Sequence, residues 1–106
     1  MGMTIQEFNL LSDIAQTLLD IRHKIVANYQ NLSDTEFFTL QQLKQEYDRI
    51  WTLMETDAPT INPLTDAQVQ NLQDAIAAAD VVIAQNGGLN ALLGAATAIK
   101  NLPKPA

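Results

Sequence analysis

Apolar residues recur at spacings of three and four along three stretches of the chain. Leu11, Ile14, Leu18, Ile21 and Ile25 do so in the first, and Leu40, Leu43, Tyr47, Ile50 and Met54 in the second. Val69, Leu72, Ile76, Ala79 and Ile83 continue the pattern in the third. That period places each set on one face of a helix. Each stretch also begins with the same local device. Thr4-Ile5-Gln6-Glu7, Ser33-Asp34-Thr35-Glu36 and Thr65-Asp66-Ala67-Gln68 all read as capping boxes. The hydroxyl can accept from a free backbone N–H of the first turn, and the acid or amide three residues on can reach back to the cap. The flanking pairs Met3 and Phe8, Leu32 and Phe37, and Leu64 and Val69 have the spacing of hydrophobic staples. Helices are therefore predicted near residues 4–29, 34–56 and 66–86.

Asn86-Gly87-Gly88 reads as a helix stop, because glycine tolerates the left-handed cap conformation. A fourth, shorter helix near 89–101 follows, carrying Leu89, Leu92, Leu93, Ala96 and Ile99, and Pro103 and Pro105 end it. The alternative is one helix from 66 to 101, but two mid-helix glycines would cost about 2 kcal/mol relative to alanine, which favours the break.

Residues 30–33 leave room only for a tight turn, so the first two helices should form an antiparallel hairpin. The link from Asp57 to Leu64 holds two prolines. Stretched, it reaches about 26–29 Å, less than the about 33 Å length of the second helix. A return along the whole bundle would be strained. The expected fold is all-α: an antiparallel up-down three-helix bundle with a short fourth C-terminal helix, one domain over residues 1–102 and a flexible tail at 103–106.

On a helical projection the apolar arc of the first helix is about 180° wide, more than one partner helix needs. It should touch at least two neighbours, in one chain or in a dimer. Between Ala75 and Ala84 every residue except Asp80 is apolar, and the alanines would admit a close neighbour. This stretch is expected to be the most buried backbone. Phe38 lies about 150° from the centre of its helix's stripe. It either folds over the helix end against the proline link or stands exposed as a binding anchor.

Composition narrows the function by exclusion. The chain has 106 residues, 47% of them hydrophobic, no cysteine and a formal charge of −6 from twelve acids and six bases. The apolar content suits one buried core. Without cysteine there is no disulfide, thiolate metal site or cysteine nucleophile. An acidic surface whose bases form no tract beyond Arg22-His23-Lys24 argues against nucleic acid. The N-terminal residues show no basic region followed by an apolar run, so a cytoplasmic location is expected. Ala75 to Ile99 carries only Asp80 as a charge, but Gln85, Asn86, Asn90 and the paired glycines interrupt it, so no transmembrane span is expected.

No catalytic, cofactor-binding or metal-binding motif emerges. His23 is the one histidine; with Asp20 it makes half of a metal-binding helix pair that nothing completes. Exposed on its helix, it could instead accept a phosphoryl group. Glu55, Asp57 and Asn62 cluster without calcium-loop spacing. Asp80 falls about 60° from the third helix's apolar seam and needs a partner against desolvation, for which Arg22 is the best placed. These exclusions leave a non-catalytic module that binds a protein partner or forms a homo-oligomer. A small apolar ligand or lipid carrier is the alternative, with a pocket among the alanine-rich third helix, Trp51, Leu92 and Leu93. A histidine-phosphotransfer-like bundle is the third. The candidate contact residues are Phe38, Trp51, Asp80, Leu92 and Leu93.

Overall fold

The computed structural model describes residues 3–56, 64–85 and 88–101. Four helices make up nearly all of it: α1 (Ile5–Asn28), α2 (Asp34–Glu55), α3 (Asp66–Ala84) and α4 (Leu89–Asn101). Their bounds fall within two residues of those expected from the sequence. The link at 57–63, the Asn86-Gly87 half of the helix stop, the tail at 103–106 and the Asp57 and Asn62 arms of the acidic cluster lie outside the described residues.

All three capping boxes close in both directions. Thr4, Ser33 and Thr65 adopt extended backbone and take the cap position. The Thr4 hydroxyl accepts from the Glu7 N–H at 3.1 Å, the Ser33 hydroxyl from the Glu36 N–H at 3.2 Å, and the Thr65 hydroxyl from the Gln68 N–H at 3.1 Å. In return the cap N–H of each donates to the side chain three residues on, at 3.1, 2.8 and 2.9 Å. The helices start where they do because these backbone donors have no partner in the preceding turn.

The centre of the fold is α1. Its Leu11, Ile14, Leu18, Ile21 and Ile25 are fully buried, and it packs against α2, α3 and α4. This accounts for the breadth of its apolar arc within a single chain. Leu43 and Ile50 enter the core from α2, Leu72 and Ala79 from α3, and Leu92, Ala96 and Ile99 from α4. Full burial of each Leu or Ile contributes about 1.5–3 kcal/mol. The short α4 thus supplies as much of the core as the longer α3, and it also contacts α2. Thr17, buried on α1, hydrogen-bonds the Asp13 carbonyl at 2.8 Å, so its hydroxyl costs little there.

The alanine-rich stretch is not the most buried part of the chain. Within α3 only Leu72 and Ala79 are buried; Ala77, Ala78 and Ala84 are exposed, and Val81 is 52% exposed. The stripe 72–75–76–79–82–83 turns toward the core, and the opposite side faces outward. Alanine loses little free energy in water, so apolar composition did not tell which side would be covered. Among the described residues no helix is long and apolar enough to cross a membrane.

Candidate interaction surfaces

Among the described residues a groove lies beside each half of α1. The first runs between the N-terminal half of α1 and α3, with a volume of about 580 Å³. Ile5, Asn9 and Asp13 follow one another at single-turn spacing along its α1 wall, and Gln73, Ala77 and Asp80 along its α3 wall. Half-buried Ile76 supplies further apolar surface, and the core residue Leu10 lies at the floor. Both charged residues of this lining, Asp13 and Asp80, are acids.

The second groove lies between the C-terminal half of α1 and the start of α2 and measures about 460 Å³. Arg22 and Val26 form one wall, one turn apart; Phe37, Leu40, Gln41, Lys44 and Gln45 form the other. Both of its charged residues are bases. The Lys44 ammonium donates to Asp48 Oδ1 at 2.8 Å along the exposed side of α2 and sits 5.4 Å from the Tyr47 ring centroid. Arg22 is half-buried, and its Nε is buried without a hydrogen-bond acceptor. Such a group is a cost to the folded chain unless something pairs with it. Val26 and Phe37 are more than half exposed.

At the start of α1, Glu7 does more than cap the helix. Its Oε1 accepts from the Thr4 N–H and hydroxyl, each at 3.1 Å, while Oε2 accepts from the Leu64 N–H at 3.2 Å. The carboxylate therefore ties the start of α1 to the residue before the α3 cap. Burial alone would raise the Glu7 pKa, but the Thr4 and Leu64 hydrogen bonds outweigh it and hold the carboxyl below its ordinary value.

The sequence candidates do not converge on one site. Asp80 lines the first groove; Phe38, Trp51, Leu92 and Leu93 line neither. Phe38 stands 59% exposed on α2, so it does not fold over the helix end. Trp51 is 36% exposed and meets the Tyr47 ring edge-on, centroids 6.3 Å apart. Leu92 is buried in the core and Leu93 is half-buried against it. The expected Arg22–Asp80 ion pair is absent. Arg22 lines the α2 side and Asp80 the α3 side, and Asp80 is exposed, so water rather than a cation solvates it. His23 is exposed, while Asp20 accepts from the Gln16 amide at 2.9 Å. Among the described residues no three His, Asp or Glu side chains gather where a metal could be held.

Both grooves escaped the sequence reasoning, although one signal pointed to the second. A tight turn after α1 would reflect residues 26 and 22 onto 37 and 41, which are the residues that line it. Comparison with protein-family models, with curated proteins and with solved structures finds no match to this chain.

Proposed function

We propose that this chain is a non-catalytic helical module that self-associates or docks on a protein partner through its apolar helix faces. The observation that supports it is the set of large apolar side chains left outside the core: Ile5, Val26, Phe37, Phe38 and Val81 are each more than half exposed. Ile5 lies at the acidic groove, and Val26 and Phe37 lie at the basic one. Adjacent exposed apolar side chains with polar neighbours, as Val26 and Phe37 have in Gln41 and Lys44, are what interaction sites present. Within the module α1, α2 and α3 run up, down and up, with α4 filling the gap between α2 and α3. The Glu7–Leu64 hydrogen bond, which joins the starts of α1 and α3, supports this order. So does the pairing of Arg22 and Val26 with Phe37 and Gln41 across the short turn.

Sedimentation equilibrium over a range of concentrations tests the self-association, and affinity capture with the purified chain tests docking on another protein. A strict monomer that captures nothing would overturn the proposal. A carrier of small apolar ligands is the alternative, supported by two grooves in the size range of ligand sites, about 300–1,000 Å³. Calorimetric titration with medium-chain fatty acids separates it: saturable heat favours the carrier, and its absence removes it.

A further inference from the structure

We infer that copies of this chain associate head to tail, the basic groove of one copy seating against the acidic groove of the next. This rests on the self-association proposed above and names the surfaces that carry it. The two grooves are opposite in charge, and both carry apolar side chains in their lining. Among the described residues, Asp13 and Asp80 are the charged lining of one; Arg22 and Lys44 are that of the other, with Lys44 also paired to Asp48 of its own helix at 2.8 Å.

Phe37, 54% exposed beside Arg22, supplies an aromatic anchor. Ile76 and Ala77 supply apolar surface for it in the larger groove. Anchors of this kind carry most of the affinity at protein interfaces. The half-buried Arg22 guanidinium, which has no ion pair among the described residues, also gains an anionic neighbour for its accessible end.

The grooves lie beside opposite halves of α1, about 22 Å apart at the helical rise. One copy therefore offers two different surfaces to two neighbours. Such a contact is heterologous and grows as a ring or an open filament rather than closing as a two-fold dimer. The net charge of −6 opposes association only weakly, because repulsion beyond about 8 Å is screened at physiological salt.

Charge reversal with rescue tests this in the full chain. In sedimentation equilibrium the average mass of the parent should rise with concentration above the monomer's 11.7 kDa. Asp80→Arg and Arg22→Glu should each weaken association by at least about tenfold, and combining them in one chain should recover most of the loss. Phe37→Ser should weaken it too. Far-UV circular dichroism checks that each variant keeps the parent's helicity. If Arg22→Glu does not, Lys44→Glu, at an exposed position, takes its place in both the single and the combined variant. A parent that associates while a folded Asp80→Arg variant associates equally tightly overturns the head-to-tail surface and leaves self-association standing. A parent that stays monomeric throughout overturns both.

Discussion

Replacing Glu7 by alanine removes a carboxylate that three donors share: the Thr4 N–H, the Thr4 hydroxyl and the Leu64 N–H. The first belongs to the capping box, and Glu36 makes the same bond to the Ser33 N–H at the head of α2. The bond to Leu64 crosses 57 residues of chain and has no counterpart at Glu36. A hydrogen bond to a charged acceptor contributes about 1.5–3 kcal/mol. Glu7 is buried whereas the bonds of Glu36 are exposed, so the larger part of that range applies to Glu7. Glu36→Ala should therefore cost about 0.5–1.5 kcal/mol, as loss of an exposed cap contact does, and Glu7→Ala about 2–4 kcal/mol. Urea unfolding at neutral pH, extrapolated linearly to water, measures both.

The excess must also depend on pH. The folded Glu7 pKa lies below the ordinary 4.5, so its contribution is complete above that value and is lost as pH falls through the lower, folded one. The gap between parent and Glu7→Ala should thus narrow in acid. Equal losses from the two variants, or a gap that widens on acidification, would refute the shared-cap account.

The other expectations follow from burial and backbone geometry. Ser33→Ala and Thr65→Ala should each lower stability by about 0.5–2 kcal/mol in the same urea assay, since each removes a cap acceptor. Ile14→Ala, at a fully buried position of α1, should cost about 2–5 kcal/mol. Val81→Ala, on the outer side of α3, should stay within about 0.5 kcal/mol, so similar losses at the two sites would place α3 wrongly. Gly94→Ala should stabilise by about 0.5–1 kcal/mol, because the glycine is in the interior of α4 and a methyl there meets nothing within 4 Å. A fall in thermal midpoint would contradict that.

Much of the fold was legible because its signals are local. A cap hydroxyl and an acid three residues on act within a single turn, and the period of Leu11 to Ile25 needs no neighbour to be read. The misjudged parts depend on neighbours. The apolar run of α3 does not reveal which side is covered: one edge of that helix suffices to cover its share of α1, and alanines on the other edge tolerate water. Charge and angular position alone suggest an Arg22–Asp80 pair, but the packing puts α2 beside Arg22 and leaves Asp80 in water. The second role of Glu7 was beyond reach, since nothing near it in the chain names Leu64. The grooves are gaps between helices, and their charge became visible only once the helices were paired.

A dilution series of the uniformly nitrogen-15-labelled chain, followed by amide NMR, tests association and its surfaces together. The amides of Asn9, Asp13 and Ala77 should shift with concentration in step with those of Val26, Gln41 and Gln45, one affinity describing both sets. Spectra that do not change with concentration, or changes confined to residues away from both grooves, would contradict the account.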